Sequence, residues 1–147
     1  MRTLAQLILV TLVIGSCRTN AERIKDAADL KRMADEFAMD LEMEGIEPTC
    51  SEAGLQEVEK FLEGKSESVQ QQYVLIAGAY LGECLIETYG GQWIEHEPEV
   101  WGVKFNDDLV TFPIGKVQKF VEDPMGDSFA SLYATVPRII ELNKKKP

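Results

Sequence analysis

The chain has 147 residues with 15 basic and 25 acidic side chains, a net charge of −10, and that length suits one domain with a single core. Acidity of this degree argues against nucleic acid as a partner, because phosphates are met by basic surfaces. One histidine and three cysteines offer too few spaced nitrogen and sulfur donors for a zinc site, and no other metal site or cofactor is expected.

Behind Arg2, an uncharged apolar run extends from Leu4 to Ile14. Its length matches the roughly 7–15 residues of a signal-peptide core and falls short of the roughly 20 of a spanning helix. The run closes on Ile14-Gly15-Ser16-Cys17, which resembles the cleavage box of bacterial lipoproteins. That resemblance implies cleavage before Cys17 and acyl chains on this residue. Residues 1–16 then form the signal peptide, 17–21 a lipidated tether, 22–143 a single α+β domain and 144–147 a basic tail. An ordinary secretory peptide cut a few residues later and an uncleaved anchor are the rival readings. Each buried methylene contributes about 0.8 kcal/mol, so two or more acyl chains would hold the domain stably on a membrane. The expected location is the bacterial envelope, with the domain facing periplasm or exterior. Arg18 stands where enteric inner-membrane lipoproteins often carry Asp, which slightly favours the outer membrane in a Gram-negative host. Loss of residues 1–16 removes Arg2, so 14 basic residues face 25 acidic ones and the net charge becomes −11.

Acylation of Cys17 leaves Cys50 and Cys84. Two readings of them stay open. In an oxidising envelope they could close a loop of about 35 residues if their Cα atoms come within about 7 Å. Alternatively, Cys84 is a small apolar residue buried in a helix.

The first predicted helix runs from Asn20, a candidate N-cap, to Glu44, with Ile24, Ala27, Ala28, Ala34, Phe37, Ala38 and Leu41 at three-four spacing, and Gly45 ends it. Thr49 and Glu52 suggest a capping box for a second helix through Leu55, Val58, Phe61 and Leu62, stopped by Gly64. Ser66 or Ser68 opens the third. Between Tyr73 and Ile86 this third helix is apolar almost all round, so it should be the buried centre of the domain. Gly78 and Gly82 lie one turn apart in it, a spacing expected to admit a neighbouring backbone. Gly90 and Gly91 terminate it.

The period then changes. Gln92–Glu95, Val100–Phe105 and Leu109–Phe112 predict two or three short antiparallel strands, separated by Pro98 and by Asn106-Asp107-Asp108. A short helix over Ile114–Val121, a turn at Pro124-Met125-Gly126 and a last helix capped by Asp127 or Ser128 complete the reading. Pro137 should kink or end that helix near Val136. The fold class expected is α+β: N-terminal helices that include the buried centre, a small antiparallel sheet, then C-terminal helices.

The segments Gly78-Ala79-Tyr80-Leu81-Gly82-Glu83 and Gly90-Gly91-Gln92-Trp93, then Pro113, Lys116-Val117 and Lys119, and finally Gly126-Asp127-Ser128 resemble an uncharacterised bacterial family with GxYLGE and GGxW motifs. The likeness spans roughly Gly78 to Tyr133. It implies an α+β fold and no established activity, so it carries over no catalytic residue.

Glu83 is the sharpest single candidate, an acid in an otherwise apolar stretch of the central helix, where an unpaired charge is expensive. The bland reading pairs it with the Trp93 indole or a lysine such as Lys116. The functional one makes it a pocket carboxylate. Trp93 and Trp101 flank His96 among acids, a segment read as a solvated hairpin or, because Trp is favoured at hot spots, as a partner-binding edge. Catalysis is poorly supported. The histidine stands alone, no GxSxG elbow exists, no Gly-rich phosphate loop precedes a helix, and chance pairs among 25 acids carry no specificity. The function expected is therefore a membrane-anchored, non-enzymatic module that binds a basic protein partner, in its specific form an inhibitor or immunity protein. The alternative is a small-ligand receptor or hydrolase with a pocket between the central helix and the sheet, using Glu83 and Trp93.

Overall fold

A computed structural model of the protein describes residues 24–106 and 109–145. Cys17, the proposed signal peptide and tether, and Asn20 lie outside the described residues. The elements follow the order α1 (Ala27–Met43), α2 (Glu52–Glu63), α3 (Glu67–Tyr89), β1 (Gln92–Glu97), β2 (Val100–Asn106), β3 (Leu109–Thr111), α4 (Pro113–Glu122) and α5 (Phe129–Lys144). The strands form one antiparallel sheet in the order β1-β2-β3. This is the α+β class, with helices on both sides of the sheet in the chain order. Among the described residues no helix is long and apolar enough to cross a membrane.

Helix α3 is the axis of the core. Ala77, Ala79, Leu81, Cys84 and Leu85 are buried on different sides of it, and α1 and α4 are its main helical neighbours. Phe37 of α1 meets Tyr73 and Tyr80 of α3 and Phe61 of α2 edge-on, at 5.7, 5.5 and 6.0 Å between centroids. Such edge contacts add to the area these rings bury and lock three helices together.

The helix starts differ from expectation for local reasons. Extension of the first helix back toward Asn20 is not seen, because Asp26 caps α1, its carboxylate accepting from the Ala28 and Asp29 amides at 2.9 and 3.1 Å. The predicted Thr49–Glu52 box is replaced by Ser51. A tight turn, in which the Ser51 amide donates to the Thr49 carbonyl at 3.0 Å, brings Ser51 to the helix mouth, where its Oγ accepts from Gly54 N at 3.0 Å. Ser66 opens α3, and Gly90 ends it at φ 70°.

Pro137 does not end α5, which continues to Lys144. Proline removes the amide that would have bonded the Tyr133 carbonyl one turn back. Here Tyr89 supplies the substitute, its hydroxyl donating to that carbonyl at 2.9 Å. A tertiary hydrogen bond thus repairs the helix where the local sequence breaks it.

Packing of α2 on α5 carries a second long-range cap. One carboxylate oxygen of Glu59 accepts from Ser128 Oγ at 2.8 Å and from the Ala130 amide at 2.9 Å. The acid sits at the positive end of α5, where a half-buried carboxylate is favoured. Glu59→Ala should therefore lower unfolding stability by about 1–2 kcal/mol, as measured by urea denaturation. An unchanged midpoint would show that α5 needs no cap from α2.

Candidate functional site

The sheet explains where Glu83 and Trp93 go. β1 follows α3 through Gly90-Gly91 and pairs with β2 so that Trp93 faces Val103, a fully buried core residue. On that face the Trp93 ring lies directly over Gly82, so closely that a Cβ there would overlap its six-membered ring. The indole N–H then donates to Glu83 Oε1 at 2.8 Å. Between the central helix and the sheet, the indole itself thus occupies the space beside Gly82. Gly78 behaves as anticipated and meets the α4 backbone at Ile114 Cα, whereas Gly82 admits a side chain rather than a backbone.

The remaining candidates do not converge on Glu83. Lys116 pairs instead with Asp127 at 2.6 Å. That contact holds the Asp127 carboxyl below its ordinary range, chiefly through the hydrogen bond from Lys116. His96 is exposed near the hairpin turn, its ring 5.3 Å from Phe112. Trp101 lies on the central strand opposite Glu95 and packs against the core, with its Nε1 buried and without a hydrogen-bond partner among the described residues. Trp93, His96 and Trp101 therefore do not form one exposed edge.

Cys50 and Cys84 are joined in a disulfide, their Cα atoms 5.0 Å apart. Cys50 stands in the connection between α1 and α2 and Cys84 in the C-terminal half of α3, so the bridge draws the connection onto the central helix. Tyr133 holds the same segment from the other side, its hydroxyl donating to the Cys50 carbonyl at 2.8 Å.

Beside the disulfide, α1 and α3 diverge around a cleft of about 320 Å³. From α3, Tyr80, Glu83, Cys84 and Glu87 line it; these positions repeat at i, i+3, i+4 and i+7 and so share one face. From α1 come Lys31, Ala34, Asp35 and Ala38, with the same repeat. Lys31 and Asp35 pair with each other at 3.0 Å, and that bond raises the Lys31 ammonium above its ordinary range. Among the described residues no basic side chain is in ion-pair contact with Glu83 or Glu87. Tyr80 is 6% exposed and its hydroxyl has no hydrogen-bond partner among the described residues. Burial first, and the Glu87 charge second, push its phenol up to about 12, so it remains a neutral donor and acceptor throughout the physiological range.

Of this site the sequence singles out Glu83, and Cys50 and Cys84 as a possible disulfide pair. Tyr80 reads as part of the apolar central helix, and Glu87 carries no signal of its own. The available signal was the matching seven-residue repeat on the two helices, which becomes informative only once α1 is known to lie against that face of α3. Among the described residues no three His, Cys, Asp or Glu side chains lie where a single metal ion could be held. Comparison with protein families, curated proteins and solved structures finds no match to this chain, so the resemblance over Gly78 to Tyr133 rests on its motifs.

Proposed function

We propose that this protein is a lipid-anchored envelope module that binds a basic protein rather than transforming a substrate, in its specific form an inhibitor or immunity protein. The observation that carries the reading is clustered negative charge: Asp35, Glu83 and Glu87 border one cleft that holds the single cation Lys31 among its described lining residues. Cleavage before Cys17 would set the folded part at −11, a charge that steers basic partners and keeps the domain off anionic lipid. Acyl chains on Cys17 would confine it to the membrane surface where such a partner acts.

Affinity capture with residues 18–147 from envelope and competitor-cell extracts tests the binding. A specific basic partner, released as ionic strength rises, is the expected result. Repeated recovery of no protein would overturn it. Anchoring is tested separately by palmitate incorporation, which Cys17→Ser should abolish. Full labelling of that variant would move the anchor elsewhere.

A further inference from the structure

The two ends of the Cys50–Cys84 bridge are unequal. Cys84 is 0% exposed, in a stretch of α3 where Leu81 and Leu85 are buried as deeply, whereas Cys50 is only partly buried in the connection from α1 to α2. Disulfides exchange when a thiolate attacks one sulfur in line, from the side opposite the other sulfur. Attack on Cys84 Sγ would have to come through the core. Attack on Cys50 Sγ comes from the side of the connection, which reaches the surface. Charge then sorts what arrives. Glu87 Oε2 lies 3.6 Å from Cys50 Sγ, and Asp35 and Glu83 border the same cleft, against the one lining cation, Lys31, which pairs with Asp35 at 3.0 Å. An incoming thiolate adds a further anion here, so these acids oppose it unless it carries a compensating positive group. A contact without sulfur also spans the bridge. The Tyr133 hydroxyl donates to the Cys50 carbonyl at 2.8 Å and meets Thr88 Oγ1 of α3 at 2.8 Å, tying the connection to the helix that carries Cys84.

Independently of the protein-binding reading, we infer that the bridge is a reversible thiol-exchange site with one entrance, Cys50, which favours thiols bearing a positive charge. The incoming thiol gives its proton to water, and its sulfur forms a bond to Cys50 Sγ as the bond between the two Sγ atoms breaks. The electron pair leaves on Cys84 Sγ, which takes a proton from water because an anion in the core is costly. The products are a mixed disulfide on Cys50 and a buried Cys84 thiol. A second thiol, or the second arm of a dithiol, then attacks the reagent's sulfur and frees Cys50, so two thiol groups are oxidised to one disulfide while the bridge is reduced. Reversal of the first step needs no oxidant. Cys84 attacks Cys50 Sγ and expels the reagent as a thiol, with the Tyr133 contact keeping the two cysteines within reach.

The test exposes the full chain, in neutral detergent with its bridge intact and any free Cys17 thiol capped by N-ethylmaleimide, to cysteamine, 2-mercaptoethanol or mercaptoacetate. Acid-quenched samples are read by peptide mass mapping, and each rate is divided by that of the same thiolate on the uncharged disulfide of 2-mercaptoethanol. The adduct is expected on the Cys50 peptide and not on the Cys84 peptide. Cysteamine should open the bridge about tenfold faster than mercaptoacetate, with 2-mercaptoethanol between them. Salt at about 1 M, where screening acts within about 3 Å, should collapse that spread. Glu87→Gln, a change at an exposed position, should narrow it at low salt. Dilution of the thiol should return the Cys50 adduct to the bridge, more slowly in Tyr133→Phe. The site is overturned if adducts form on Cys84, if the three normalised rates are equal, if Glu87→Gln leaves their spread unchanged, if the adduct persists after dilution, or if the bridge opens only once urea unfolds the chain.

Discussion

Replacing Gly78 with alanine should lower the melting temperature by roughly 8–12 °C, although alanine is by itself the better helix former. In an open helix the exchange would gain about 1 kcal/mol. At this position the new Cβ would stand 2.5 Å from Ile114 Cα and 2.8 Å from Ile114 Cγ1. The first of these is a backbone atom, so no rotamer change relieves the overlap and α4 must move as a unit. Overpacking of this kind costs about 1–3 kcal/mol and sometimes more, and displacement of α4 also disturbs Val117 and Phe120, which are buried in the same core. A net loss of about 2–3 kcal/mol corresponds to the stated shift for a domain of this size. Gly115 is the control. It is exposed in α4, and the nearest atom to an added Cβ is 3.9 Å away. Gly115→Ala should therefore raise the melting temperature slightly, and calorimetry on the two variants should give opposite signs. If Gly78→Ala were neutral, α4 would have to pack on α3 with slack that the geometry does not contain.

Gly78 also shows how far the sequence could be read. Apolar residues on every side of one helix required neighbours on every side, and two glycines one turn apart required close approach; both statements follow from local pattern alone. What approached each glycine was not local information. Ile114 backbone and the Trp93 ring come from elements 36 and 11 residues downstream, and only the packed fold assigns them. The same division runs through the helix ends. Gly90 stopped α3 as any positive-φ cap would, but Pro137 misled, because the hydroxyl that rescues the Tyr133 carbonyl belongs to Tyr89 on another helix. The cap from Glu59 to α5 crosses 71 positions and has no local signature at all. For the site, Glu83 stands out because a charge among apolar residues is conspicuous, and Trp93 is one of the partners that the sequence offers it. The cleft was not legible, since it exists only where two matching helix faces happen to face each other.

Opening the Cys50–Cys84 bridge should be the most damaging chemical change that leaves every helix sequence intact. The two cysteines are 34 positions apart, and a crosslink over such a loop removes unfolded-state freedom worth up to about 4 kcal/mol on the chain-entropy account, with 2–4 typical. Cys50→Ala/Cys84→Ala is a cleaner comparison than serine, because Cys84 is fully buried and a hydroxyl there would need a partner. Its urea midpoint should fall accordingly. The slope of unfolding should also steepen, because an uncrosslinked chain exposes more surface when it opens. A fall in midpoint with an unchanged slope would place the bridge's contribution in the folded state instead. The Tyr133 hydroxyl grips the Cys50 carbonyl from α5, so the α1–α2 connection retains one anchor when the bridge is gone. Tyr133→Phe should therefore cost more in the alanine pair than in the bridged protein, a coupling that a double-mutant cycle reads directly.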